Sequence, residues 1–212
     1  MILTEERICE LRESVKARLS ESRYNHTLGV ERATAEIARY IMPDRVYELR
    51  VAALLHDVTK ELSRDEQLEI IKRCTRVTDS DMRTEAAYHA FSAPEVILRD
   101  YPELATPDVL SAVFNHTTGA PDMTVFDEII FISDYVEDGR THPACVAVRE
   151  SLFCGLRSAV DGEEMLCALH RATLEALENT VRHIESRGFC LNERTLVTKD
   201  EYLRKLGLPN NR

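Results

Sequence analysis

Apolar residues recur along this chain at steps of three and four, and the period-two alternation of a half-buried strand is scarce, so the sequence reads as helix after helix. One stripe runs through Val30, Ala33, Ile37 and Ile41. A longer one, Leu166, Leu169, Leu177, Val181 and Ile184, is preceded by Asp161 and Glu164 as an N-cap pair and stopped by Gly188. Ser63 with Glu66, Ser92 with Glu95, and Thr106 before Pro107 mark further helix starts near 63, 93 and 107. The tail TKDEYLRKLG predicts one more short helix. A chain of 212 residues, 44% of them hydrophobic, can bury the core of one domain. With seven glycines and no repeat, linker or low-complexity segment, it offers no internal boundary. The expectation is a single all-α domain over residues 1–212.

Charge narrows the partners. A formal net charge of −10 argues against sequence-independent binding of a nucleic-acid polymer, which needs a basic footprint to displace phosphate counterions. An anionic substrate would need a local positive site instead. The start, MILTEERICELRESVKARL, lacks the apolar core of a signal peptide, and no later run is long enough to span a membrane, so a cytoplasmic protein is expected. Six cysteines without a CxxC pair suggest neither a zinc knuckle nor a disulfide framework, and are expected as reduced thiols that mostly fill the core.

The stretch RVAALLHDVTKEL holds the chemical anomaly: five apolar residues, Val51 to Leu55, run straight into His56 and Asp57. A helix apolar nearly all round is buried, so the pair would stand at its inner, C-terminal end. A carboxylate there is disfavoured by desolvation and by the negative end of the helix dipole unless a cation compensates. Lys60 and a bound metal are the two candidates; a helix end that simply turns out to solvent is the bland alternative. Other residues repeat the pattern of placement at element boundaries. His26 follows Arg23 by three near the start of a helix, His89 lies just before the Ser92 cap, and His116 stands at a helix end. Asp134 is delivered by the apolar helix Ile129 to Ile132, with Glu137 one turn later. Lys60, four residues after His56, would share its helix face. His170 and His183, thirteen apart, turn to different faces, and His142 before Pro143 reads as a loop residue; no chemistry is assigned to these three.

The segments RYNHTLGV, AALLHDVTK, YHAFSAPE, NHTTG and SDYVEDGR, in that order, resemble the HD-domain metallohydrolases, and more narrowly the YqeK family of symmetrical diadenosine tetraphosphate hydrolases. The likeness runs from about Ser22 to Gly188, leaving 189–212 as a C-terminal extension. Two departures are visible: Ser133 stands where the family usually has alanine, and Asp138 where it usually has proline, a change able to reshape the loop carrying Arg140. The resemblance implies an all-α HD-domain helical bundle with a dinuclear metal site in its core. His26, His56, Asp57 and Asp134 would hold one metal and Asp57, His89 and His116 the other, with Asp57 bridging. Ligands of imidazole and carboxylate type without thiolate suit iron, the first choice, with manganese or cobalt as alternatives. Catalysis is expected from Asp57, Lys60 and Arg23, with Lys60 on the attacked phosphate and Arg23, Arg140 and Arg83 clamping the others. Thr27, Thr117 and Gly119 would orient ligands or let the substrate approach closely, and Glu137 would hold a ligand imidazole or an arginine. The implied reaction is symmetrical cleavage of a dinucleoside polyphosphate, diadenosine tetraphosphate, to two ADP, and a homodimer is mildly favoured. Two alternatives stand beside it: another HD-domain nucleotide phosphohydrolase, and a non-catalytic metal-containing protein that binds or senses nucleotide.

Overall fold

The computed structural model describes residues 4–210, so the ends of the expected 1–212 domain, 1–3 and 211–212, lie outside the described residues. The described residues form ten α-helices and no strand: α1 (Glu5–Lys16), α2 (Glu21–Ile41), α3 (Val46–Leu55), α4 (Arg64–Ile71), α5 (Tyr88–Asp100), α6 (Pro107–Asn115), α7 (Val125–Val136), α8 (Pro143–Ser158), α9 (Gly162–Ser186) and α10 (Glu193–Lys205). Short 3-10 turns at Pro43–Arg45, Asp81–Arg83 and Glu85–Ala87 join some of them.

Most helix starts are written locally. The Ser63 hydroxyl accepts from the Glu66 N–H while Glu66 reaches back to the Ser63 N–H, closing a capping box on α4. Thr106 caps α6 ahead of Pro107, and Asp161 caps α9, satisfying N–H groups that have no partner within the helix. Gly188, at φ +69°, ends α9 as expected of a residue free to turn left-handed. The tail helix is longer than its motif suggests, because Asn192 caps it from the Arg194 N–H onward.

Ser92 is not a cap. α5 begins at Tyr88, fed directly by the 3-10 turns before it, which puts His89 in its first turn. The Ser92 hydroxyl lies inside that helix and donates to Thr59 Oγ1 at 2.8 Å, a buried partner far away in sequence. The cysteines also depart from expectation: all six are free, but only Cys145 is buried.

The core is centred on α3, whose residues Leu49 to Leu55 are all buried among α1, α2, α6 and α7. Leu54, Leu55, Ile37, Val113, Ile129 and Ile132 are fully buried there. At about 1.5–3 kcal/mol for each such side chain, this cluster rigidly fixes the helix ends that carry the polar groups. No helix among the described residues is long and apolar enough to cross a membrane.

Candidate metal centre

α3 ends at Leu55 and delivers His56 as its C-cap, and α6 ends at Asn115 and delivers His116 in the same way. Each imidazole turns Nδ1 back onto a carbonyl of the helix it follows: His56 to Ala53 O and His116 to Val113 O, both at 2.6 Å. His26, inside the first turns of α2, sets its Nδ1 against Glu137 Oε1 at 3.2 Å. These partners assign the proton to Nδ1 and leave the Nε2 lone pair facing inward.

The inward atoms converge on Asp57. Its Oδ2 lies 3.4 Å from His56 Nε2 and 3.8 Å from His26 Nε2, and Asp134 Oδ1 is 2.9 Å from His26 Nε2. Its Oδ1 lies 3.3 Å from His89 Nε2 and 3.8 Å from His116 Nε2, which are themselves 3.1 Å apart. His26 Nε2 and His56 Nε2 are buried and face carboxylate oxygens at 2.9 and 3.4 Å without the alignment of a hydrogen bond. Lone pairs gathered at these spacings, buried and facing carboxylate oxygens, make a donor set that fits a metal ion. Two groups close enough to hold one are His26, His56 and Asp134, and His56, Asp57 and His116. They share His56, whose Nε2 has one lone pair, so it serves one metal at a time.

Charge follows the geometry. Burial would raise the Asp57 carboxyl, but His56, His89 and His116 outweigh it and hold it well below the usual carboxylate range. Burial is likewise outweighed at Asp134, by Arg140 and then His26 and His56. Burial pushes His89 well down, and burial with neighbouring His56 pushes His116 down to about 4, so both stay neutral, as metal ligands must. At His26 burial pulls downward, yet the carboxylates of Asp134, Glu137 and Asp57 win and raise it to about 9; without a metal, a proton takes that place.

Arg23, not Lys60, supplies the ion pair to Asp57, with Nη1 3.0 Å from Oδ2. The chain from His56 to Leu62 is a run of turns rather than a continued helix, marked by Lys60 N–H to Asp57 O at 2.9 Å, so His56 and Lys60 share no helix face. Lys60 still reaches the site from the turn: its Nζ is 3.2 Å from both nitrogens of His89, and burial lowers its pKa. Arg140 bonds Asp134 twice, to the carbonyl at 2.5 Å and to Oδ1 at 2.7 Å. Asp138 leaves that delivery intact, its own carboxylate going to Arg32 on the surface. Thr117 Oγ1 lies 3.1 Å from His89 Nε2, and the buried Thr27 hydroxyl, beside His26, has no partner.

Two expected contributors are not brought to the cluster. Arg83 is exposed in the turn before α5 and faces Glu193 at 3.7 Å, because Asp81 ties that turn to α10. Gly119, at φ +70°, ends the chain segment after α6, and an added Cβ would meet Thr198 of α10 at 2.9 Å, so the space its missing side chain leaves is filled by α10.

A cavity of about 640 Å³ opens beside the cluster, bounded by His116, Thr117, Asp134 and Arg140 on one side and by α8 and α9 on the other. His142 and His183, given no chemistry from sequence, stand in its wall with Tyr135, Asn179 and Arg182. His142 is also the N-cap of α8, accepting the Ala144 N–H at 3.2 Å, a role that the following Pro143 signals. His170 lies elsewhere, 3.0 Å from the buried Glu128.

A family model described as HD domain matches residues 23–139. The chain is 28% identical over 189 residues to "Bis(5'-nucleosyl)-tetraphosphatase, symmetrical" of Halalkalibacterium halodurans, covering 89% of this chain and 93% of the relative. It is 30% identical over 146 residues to the protein of that name from Bacillus subtilis, covering 69% and 77%. The Staphylococcus aureus protein of that name is 29% identical over 138 residues, covering 65% and 70%. Among solved structures, the crystal structure of a "predicted HD superfamily hydrolase involved in NAD metabolism" from Clostridium acetobutylicum superposes with a TM-score of 0.78 at 25% identity, over 92% of this chain and 96% of that one.

Proposed function

Because the chain belongs to the HD domain family, we propose that it is a metal-dependent phosphoanhydride hydrolase that cleaves diadenosine tetraphosphate in the middle to give two ADP. The observation that carries the reading is the convergence of unpartnered imidazole lone pairs and two carboxylates at the edge of a cavity that also holds Arg140. His26, His56, Asp57 and Asp134 would hold one metal, iron by preference and manganese or cobalt as alternatives. His89 and His116 would complete a second position, with Asp57 between the two, since its oxygens face the two sets separately.

A bound metal supplies Lewis acidity, activating water and offsetting charge on the phosphoryl group under attack. The chain does the rest. Arg23 keeps Asp57 ionised and oriented, and the Nδ1 contacts of His26, His56 and His116 hold those rings in ligand orientation. Lys60, Arg140 and Thr117 stand where they can donate to phosphate oxygens, giving an acidic protein its local positive site. One water adds across the central P–O–P linkage: its oxygen stays on one phosphorus, the bridging oxygen leaves with the other, and each product is ADP. A cavity of about 640 Å³ accommodates one nucleoside-diphosphate half against α8 and α9. In this reading the chain is one unit acting in the cytoplasm, with α10 as its extension.

The test is incubation with diadenosine tetraphosphate and ferrous, manganous or cobaltous ion, followed by separation of the nucleotides. ADP as sole product, absent with His56→Ala, is expected; ATP with AMP rejects the symmetrical cleavage, and metal and nucleotide binding without turnover rejects catalysis. The approach of Lys60 to both nitrogens of His89 favours a second reading of that corner, in which His89 and His116 contact phosphate and one metal suffices. Metal analysis separates them: two ions per chain for the first, one for the second.

A further inference from the structure

We propose that Arg149, on α8 and beyond the stretch matched by the family model, is a positioning residue that sets Glu137 and Arg140 together. The proposal rests on His26 being a metal ligand. α7 ends at Val136, and the last carbonyls of a helix have no partner within it. The loop that follows must do two things at once. It turns Glu137 inward, nearly buried, so that Oε1 meets His26 Nδ1 at 3.2 Å, and it folds Arg140 back onto Asp134.

One guanidinium holds the loop in that shape. Arg149 Nε donates to Val136 O at 2.5 Å, and Nη2 donates to Glu137 O and, at 2.8 Å, to Arg140 O. These three carbonyls lie at the helix end, at the residue that orients His26 and at the residue that clamps Asp134. The arrangement has little slack, because Glu137 sits in a slot made by two glycines: a Cβ at Gly29 would come 2.3 Å from Glu137 Oε2 and one at Gly139 2.9 Å from it. Glu137 Oε2 also accepts the Gly139 N–H at 2.7 Å. A planar fork of N–H donors reaches three carbonyls at once, which the single ammonium of a lysine does not reproduce.

The test compares wild type, Arg149→Lys, Glu137→Gln and the double variant, each checked for folding by circular dichroism and melting. Cobalt(II) affinity is read by titration of its visible absorption, and KM and kcat by ADP release. Arg149→Lys is expected to keep the helical fold, weaken cobalt binding by about 10-fold, raise KM and lower kcat. The double variant is expected to lose less cobalt affinity than the two single losses combined, since both changes act on the contact to His26 while Arg149 also acts through Arg140 on Asp134. Cobalt binding unchanged in Arg149→Lys, or losses that add in the double variant, would overturn the proposal and leave Arg149 as an ordinary helix-end brace. If Arg149→Lys does not fold, Arg149→Gln carries the same comparison. A wild type that binds no cobalt would instead bring down the metal reading itself, a separately visible outcome.

Discussion

His56 and Asp57 stand at the end of a buried helix because their neighbours supply what burial removes: Arg23 for the carboxylate, Ala53 O for the ring, and an open Nε2 for a cation. Residue by residue, part of the site can be read in the sequence, since His56, Asp57 and Asp134 follow apolar runs that anchor them. What faces what cannot. Arg23 rather than Lys60 pairs with Asp57 because the chain turns after Leu55, and His142 and His183 enter the cavity wall through the packing of α8 and α9, which no local pattern encodes. Gly29→Ala, nominally favourable in a helix by up to about 1 kcal/mol, is expected to weaken metal binding, because its methyl would occupy the space of Glu137 Oε2 at 2.3 Å. Cobalt titration checks it, and an affinity equal to wild type would refute the slot. With His26 raised to about 9 in the metal-free protein, metal must displace that proton, so affinity should climb by about one decade per pH unit from pH 7 and level off near 9. That proton also stabilises the metal-free fold, fully below pH 6.5 and no longer once pH has risen through about 9. Titrations at pH 7, 8 and 9 decide, a flat profile counting against the assignment.

Elements are legible where their signals are short-range. Ser63, Thr106 and Asp161 cap helices through partners three residues on, so the starts of α4, α6 and α9 follow from sequence. Ser92 misleads because its hydroxyl is spent on Thr59, a contact made only after folding. α10 shows the same division: its helix is readable, its docking is not. Asn192 and Arg194 hold Asp81, while Thr195 donates to Thr118 O beside His116, so this extension braces the loop after α6. Burial works to raise the Asp81 carboxyl, but Arg194, Thr78 and Asn192 outweigh it and lower its pKa below 3.8. Its contribution is therefore present in full above pH 3.8 and lost as pH falls through the lower, folded value. Asp81→Asn is expected to cost about 2 kcal/mol at pH 7, roughly 4–8 °C in Tm for a chain of this size. The gap to wild type should narrow as pH falls below 3.8; a gap independent of pH would mean that the charge is not what matters.

Across the whole molecule, the helical class follows from the apolar spacing, and the meeting of five distant helix ends was reachable only through the order of motifs in a known family. α2, α3, α5, α6 and α7 each bring one part of the centre, and the apolar core fixes where they meet. A ligand that binds only this assembled state stabilises it by mass action, by about 2.7 kcal/mol at a hundredfold excess over Kd. Removing metal with a chelator should thus lower Tm by about 5–10 °C, and restoring cobalt or iron should recover it; an unchanged Tm would mean that the site holds no ion of consequence to the fold. The spread of the donors along the chain also carries a message about synthesis. A ribosome making this protein releases His26, His56, Asp57, His89 and His116 well before Asp134, and Arg149 later still. The donor group that includes Asp134 is therefore completed only once α7 has emerged, and its brace from α8 comes after that, so a chain cut short before α7 carries an incomplete centre.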